Sequence, residues 1–465
     1  MPFYVLPISL AYLAANLSER HTVKVVDCSA DQIPEDSEEF RQIIRDFAPD
    51  MVGSSATYVT YNYAVMALKT AKAVSPDIIT IMGGAHPSIY PDRIITTDRE
   101  IDYLMCGEAE RSFPRFVDAL ADGTGFEDVA GLVYRRGDDI VKNPLDLNAE
   151  LDTLRRPDYD VMGLEKYIAH DYSYGGLYGR SAPIWFTRGC PFACTFCSAY
   201  LITGKKVRHH SMDYMVEWID HLYHQYGIRQ FAFIDDGLTV FPDIPKQFCR
   251  TIIDLRRKGH WAEPIYFTSP NGTRMEKLDD ELLRLMKEAG WQGLTIAPES
   301  GSRRVLKQIK KSLDPDIVPD VVRRIKAAGL GVRGFFIFGF PGETREDIDE
   351  TIGLIRRCDF DTFNIGRFLP IPGTPIFNQM VADGEISADH IPGQVFEYVT
   401  ASEAGLGTYT PATLKDVNLN LLALREQIYL YLRKPSSIVY FARYYGIGRV
   451  LSYILFMVRK RFKAA

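Results

Sequence analysis

The chain has 465 residues, 46% of them hydrophobic and 25% charged, enough for two or three domains with substantial cores and too apolar for a disordered protein. Its 54 basic against 60 acidic residues leave a net charge of −6, which argues against a general nucleic-acid-binding surface. The seven cysteines are odd in number and mostly isolated, unlike a disulfide framework, and the N-terminus shows no basic segment leading into an apolar core and cleavage site. A reducing, cytoplasmic setting is therefore expected.

Residues 1–140 alternate short apolar runs with helical patterns. Strands are predicted at Thr22–Asp27, Met51–Ser55, Ile78–Gly84 and Tyr103–Glu108, with helices near 37–47 and 61–74. Such alternation implies an α/β, doubly wound, Rossmann-like domain with a parallel sheet. Ligands of these sheets bind beyond the carboxyl ends of the strands, where Gly83-Gly84 and Gly107-Glu108 fall. The stretch 125–180, with Pro144, Pro157 and Gly175-Gly176, is irregular, and a linker is expected over 141–180.

Six candidate strands follow, at 183–187, 230–234, 265–269, 293–297, 332–337 and 362–366, separated by helical patterns such as 213–225, 278–288, 316–328 and 345–356. Six βα repeats within 181–400 suit a partial (β/α)6, TIM-like barrel whose chemistry sits at the carboxyl ends of its strands. Residues 401–465 form a helical C-terminal region, with one helix at 416–433 and a mostly apolar run at 438–458. Arg443 and Arg449 interrupt that run, and the insertion cost of arginine argues against a membrane span. Packing on the barrel is expected there. The alternative is contact of the apolar run and its basic tail, Arg459–Lys463, with an anionic membrane surface.

Immediately after the first barrel strand comes Thr187-Arg-Gly-Cys-Pro-Phe-Ala-Cys-Thr-Phe-Cys197. Cys190, Cys194 and Cys197 can hold three irons of a [4Fe–4S] cluster and leave the fourth open to bind and activate a ligand. Zinc sites usually pair cysteines as CxxC with a second pair at a set distance. Here Cys249 and Cys358 are isolated and His209-His210 are adjacent, so the spacing favours iron–sulfur.

Further motifs close the later strands: Ile234-Asp-Asp-Gly-Leu-Thr239, Ser269–Arg274, Glu299-Ser-Gly301, Gly339-Phe-Pro-Gly-Glu-Thr344 and Gly366–Pro375. Ser300 or Ser302 suits an N-cap, and Thr344 with Asp347 a box-like cap. With the CxxxCxΦC triplet, in which Φ is Phe196, this set resembles the radical S-adenosylmethionine (SAM) superfamily. The resemblance implies that the open iron chelates the amine and carboxylate of SAM, whose reductive cleavage yields a 5′-deoxyadenosyl radical. It places Phe196 beside the adenine, Asp235 and Asp236 near the ammonium, and Glu299 and Ser300 near the ribose or amine.

Ser9-Leu-Ala-Tyr-Leu-Ala-Ala-Asn-Leu17, Gly83-Gly-Ala-His-Pro87 and Cys106-Gly-Glu-Ala-Glu110 are similar to motifs of the cobalamin-binding branch of that family. They imply that Gly83, Gly84 and His86 lie close to the corrinoid, with His86 a turn residue rather than a cobalt ligand. The chain lacks the Asp-x-His-x-x-Gly motif that usually supplies a lower axial histidine. The family's domain also opens with an apolar strand ending in Pro-Pro, whereas this chain starts at Met1-Pro-Phe-Tyr-Val-Leu-Pro7, so a domain short of its first, interior strand is expected.

The resemblance implies C–H activation with methyl transfer to an unactivated carbon. A radical cyclase, ring-rearranging or C–C coupling reaction is the alternative. A methylthiotransferase would need a second cysteine triplet, and a non-catalytic corrinoid or iron–sulfur sensor would not need the SAM-contacting strand ends. The partners implied are a small-molecule or lipid-like substrate and a reductant such as flavodoxin or ferredoxin.

Overall fold

The computed structural model describes residues 6–169, 179–388 and 409–439. Its first sheet is ordered β1 (Met51–Ser55), β2 (Ile79–Gly83), β3 (Tyr103–Met105), β4 (Leu132–Arg136), β5 (Asp139–Lys142). The first three strands are parallel and the last two form an antiparallel hairpin. That hairpin falls at the edge of the stretch predicted to be irregular. Short apolar runs around Gly137 carry little periodicity, and pairing with β3 makes them strands. The helices Glu38–Phe47 and Tyr61–Val74 form where expected, the first capped by the Ser37 hydroxyl, which accepts from Phe40 N at 3.1 Å.

The expected strand at Thr22–Asp27 does not form. Val23 is 37% exposed, and β1 has no strand on its outer side among the described residues. An alternating pattern becomes a strand only when a neighbour supplies the hydrogen-bond ladder. Val26 and Cys28 still pack against Phe40 and Ile44 under the helices. The helix Ile8–Asn16 contributes Tyr12 to the core of the second domain instead, edge-on to Trp218 at 5.9 Å.

The second sheet contains six parallel strands: β6 (Ser181–Ile184), β9 (Gln230–Phe233), β10 (Tyr266–Thr273), β11 (Trp291–Glu299), β12 (Gly331–Phe338) and β13 (Thr362–Arg367). A two-stranded ribbon, β7 (Thr187–Arg188) with β8 (Arg208–His209), brackets the cysteine loop. Helices over Met212–Tyr226, Asp280–Ala289, Val318–Ala327 and Arg345–Arg357 separate the strands much as predicted. Phe233 stacks on Trp291 at 4.9 Å and packs with Phe248 and Phe267, all fully buried.

The sheet is open, and both edges are covered, as unpaired strand edges must be. At β6 the Tyr159 hydroxyl donates to Pro183 O at 3.1 Å. At β13 the helix Leu419–Arg433 lies alongside, tied by buried Glu426, which accepts twice from Arg356 at 2.8 Å. This helix matches the predicted 416–433. The apolar run 438–458 lies, beyond Val439, outside the described residues. No helix among the described residues is long and apolar enough to cross a membrane.

Candidate active site

The three cysteines sit on a loop held by backbone contacts from several sides. Gly189 has φ +96°, and a Cβ there would lie 2.3 Å from Lys206 O, so only glycine lets the chain turn against β8. Cys190 N donates to Gly204 O at 3.0 Å, Thr195 N to Ile309 O at 3.0 Å, and Ile376 N to Thr195 O at 3.1 Å. The loop is thus fixed by its own return, by the C-terminal end of the helix Arg303–Gln308 after the fourth barrel strand and by the Pro-Gly-Thr-Pro turn after the sixth.

Burial pushes the Cys197 thiol up to about 11, and the sulfurs of Cys194 and Cys190 add to the rise. Burial also raises Cys190 and Cys194, while Arg274 and Lys311 pull both back down. Three mutually interacting thiols facing two cations are a donor set suited to an anionic thiolate cluster, since metal binding deprotonates the thiols. No three Cys, His, Asp or Glu side chains among the described residues gather as a site for one metal ion. A cubane instead spreads its three thiolates over three irons.

Neither Arg274 nor Lys311 stands out in the sequence as a site residue. Arg274 lies 3.6 Å from the centroid of the Phe192 ring and pairs with Glu276 at 2.9 Å. Lys311 pairs with Glu299 at 2.9 Å. Glu299 takes a left-handed φ of 68° at the end of β11, which turns its carboxylate toward Lys311 and into the electrostatic range of Cys194. A lysine in Lys310-Lys311 looks like surface charge until the fold brings it over a strand end.

The two aspartates after β9 diverge. Asp236 accepts from Thr203 Oγ1 at 3.2 Å, and its charge acts on Cys190 and Cys197. Asp235 accepts from the Thr187 amide and leaves Oδ2 buried without a partner; burial pushes its carboxyl up to about 7. Ser300 is fully buried, its hydroxyl beside Thr351 Oγ1 at 3.1 Å and accepting from Ser302 N at 3.1 Å. Ser302 occupies the N-cap position of the following helix but donates its hydroxyl to Asp347 at 2.6 Å. Thr344 and Asp347 make the expected capping box.

Half-buried Phe196 meets Phe340 edge-on at 5.6 Å. Phe340 belongs to a turn whose amides at Gly339 and Phe340 both donate to Glu343, a fully buried residue. Burial pushes Glu343 up to about 7. Between about 4.5 and 7 the folded protein holds protons on Glu343 and Asp235 that the unfolded chain has released, so the contribution of these two groups to stability falls as pH rises through that window, while His86, kept neutral, acts in the opposite sense between about 4 and 6.5. A lower melting temperature at pH 8 than at pH 6 is expected, with a shallower fall in Glu343→Gln. Calorimetry at the two pH values checks it.

In the N-terminal domain, Gly84 has φ +101°, and a Cβ there would come within 2.7 Å of Ala56 O. This glycine serves the close packing of its own turn against the end of β1. His86 lies not in a loop but in the first turn of a short helix, Ala85–Ile89. It is 4% exposed, ringed by Tyr58, Tyr61 and Tyr90, with Nδ1 buried and unpartnered. Burial lowers it to about 4 and keeps the imidazole neutral. His86, Tyr58 and Pro372 line a cavity of about 440 Å³.

The helix Ala85–Ile89 packs against Ala199–Ile202, the helix that follows Cys197. A Cβ on Gly373 would lie 2.3 Å from Ile89 O, so the turn after β13 presses on the same helix. The turns after β2 and β13 therefore meet beside the helix that follows Cys197.

A model of the radical SAM superfamily matches residues 184–355, and a model of the B12 binding domain matches residues 1–117. An uncharacterized methyltransferase of Pyrococcus horikoshii is 32% identical over 379 residues, covering 81% of this chain and 79% of that protein. The anaerobic magnesium-protoporphyrin IX monomethyl ester cyclase of Rubrivivax gelatinosus is 28% identical over 383 residues, 80% of this chain and 66% of that one. In fold, the chain is similar to the radical S-adenosylmethionine methyltransferase TsrM from Kitasatospora setae, solved with cobalamin and a [4Fe–4S] cluster. The TM-score is 0.67 at 16% identity, over 82% of this chain and 72% of that one.

The chain belongs to the radical SAM superfamily, in the branch that carries a B12 binding domain. It is an enzyme whose cofactors are a [4Fe–4S] cluster, SAM and cobalamin.

Proposed function

We propose that the enzyme transfers a methyl group to an unactivated carbon of a small-molecule substrate, drawing electrons from a flavodoxin or ferredoxin. The observation that carries this reading is the packing of Ala85–Ile89, the helix after the Gly83-Gly84 turn, on Ala199–Ile202, the helix after Cys197, which supports a site shared by the two cofactors. When bound, the cluster supplies the electron that cleaves SAM reductively and cobalamin carries the methyl group. Cys190, Cys194 and Cys197 hold the cluster, and Arg274 and Lys311 offset its negative charge.

Asp236, facing the cysteines, receives the ammonium of SAM. Asp235 holds the Thr187 amide ahead of the cysteine loop, and Ser300 ties the end of β11 to Thr351 on the helix Arg345–Arg357. Phe196, backed by Phe340, offers an aromatic edge to the adenine, and Glu299 a carboxylate to the ribose hydroxyls. Gly83, Gly84 and His86 form the corrinoid-facing turn, with neutral His86 closing its floor.

Anaerobic reconstitution with iron, sulfide and SAM, with and without cobalamin, tests this. S-adenosylhomocysteine and 5′-deoxyadenosine should appear together only when cobalamin is supplied. 5′-Deoxyadenosine alone, unchanged by cobalamin, would favour the cyclase type of reaction. A lipid-like substrate and membrane contact through residues 436–465 rest on the apolar run 438–458 and its basic tail. Unchanged co-sedimentation with anionic vesicles after deleting 436–465 would remove that finer reading.

A further inference from the structure

Four charged side chains are buried where the two domains meet. Glu108 and Glu110 follow β3, while Arg188 and Arg208 lie on the ribbon β7–β8 that brackets the cysteine loop. Arg208 grips Glu108 with two hydrogen bonds of 2.6 and 2.7 Å, and Arg188 Nη1 donates to Glu110 at 2.6 Å. Asn148 donates its amide N–H to Glu108 and its side-chain amide to Glu110, both at 3.0 Å. The Arg188 side chain is 1% exposed and that of Glu108 3%, and the guanidinium of Arg188 lies against Trp185 and Tyr12 at 4.3 and 5.1 Å.

Buried ion pairs of this kind seldom stabilise more than well-packed apolar residues would, because desolvation offsets their attraction. What they add is geometry: the two-point contact of Arg208 with Glu108 tolerates little displacement, and Arg188 is held by its single hydrogen bond to Glu110 and by the Trp185 and Tyr12 rings. Both pairs lead directly to the site. Arg208 also donates to Thr203 O at 2.7 Å, and Thr203 donates its hydroxyl to Asp236. Arg188 stands two residues before Cys190.

We propose that Glu108–Arg208 and Glu110–Arg188 are positioning pairs that set the separation between the cobalamin carried by the first domain and the cluster held by the second. This rests on the two-cofactor reading above. The test uses the full chain reconstituted with cluster and cobalamin and compares wild type with E110M/R188M, which replaces the pair by apolar side chains. Electron paramagnetic resonance of the reduced cluster together with cob(II)alamin reads their spin–spin coupling, and S-adenosylhomocysteine formed in the first turnover reads methyl removal from SAM.

The variant should bind both cofactors stoichiometrically, show a changed coupling, and form S-adenosylhomocysteine about 10²-fold more slowly, as displacements near 1 Å can cause. Glu110→Asp keeps the charge but shortens its reach by one methylene, and it should change the coupling in the same sense even if the apolar pair folds poorly. Wild-type coupling and rate in both variants, with only a lower melting temperature, would overturn the proposal. A wild type that takes up no cobalamin would instead sink the two-cofactor reading, and this inference with it.

Discussion

Replacing Cys194 by alanine is expected to abolish the iron–sulfur absorbance of the reconstituted protein and to reduce 5′-deoxyadenosine formation to background. Two remaining thiolates leave two irons of a cubane without protein ligands, so the cluster is neither held nor open at one site only. The same outcome is expected for Cys190→Ala and Cys197→Ala. The fold should survive, because loss of one thiol from a loop fixed through its backbone costs about 1 kcal/mol. Cys249 is the control: it is fully buried in the barrel core, and burial pushes its thiol up to about 12. Cys249→Ala should bind iron and sulfide like wild type. A Cys194→Ala protein that still cleaves SAM would remove the triplet from the chemistry.

Gly189→Ala should impair cluster assembly nearly as severely without touching a ligand. Its φ of +96° is costly for any side chain, and the added Cβ would stand 2.3 Å from Lys206 O. Strain of this kind costs about 1–3 kcal/mol, and the chain can relieve the clash only by pulling Cys190 away from its hydrogen bond with Gly204 O. Iron and sulfide per chain after reconstitution should fall to half or less of the wild-type value. Gly259 separates strain from displacement, because it also has a positive φ, +72°, but nothing lies within 4 Å of a Cβ there. Gly259→Ala should lower the melting temperature slightly and bind a full cluster. Equal cluster content in the two variants would mean that the close approach of Gly189 to Lys206 does not position Cys190.

Much of the barrel is legible in the amino-acid sequence. The strands at 230–234 and 362–366 and the helices at 213–225 and 345–356 form within a residue or two of their expected limits, because apolar periodicity and a cap such as Thr344 are local signals. Cysteine spacing identifies the family for the same reason, since a cluster dictates which residue types must lie a few positions apart. The strand expected at Thr22–Asp27 fails, and the hairpin of β4 and β5 carries no clear local signal, because a ladder depends on a partner distant in the chain.

The site divides in the same way. The sequence by itself determined the capping box of Thr344 and singled out the three cysteines, Phe196 and the strand-end acids as candidates, because their chemistry depends on residue type and short spacing. Tertiary structure alone decided that Asp236 acts on Cys190 and Cys197 while Asp235 supports Thr187, that Arg274 packs on Phe192 of the cysteine loop, and that Lys311 pairs with Glu299. It also decided that Glu108 and Glu110 meet Arg208 and Arg188, which stand 78 or more residues away in the chain. The physical reason is that a charge acts through space and burial, and neither can be counted along a chain.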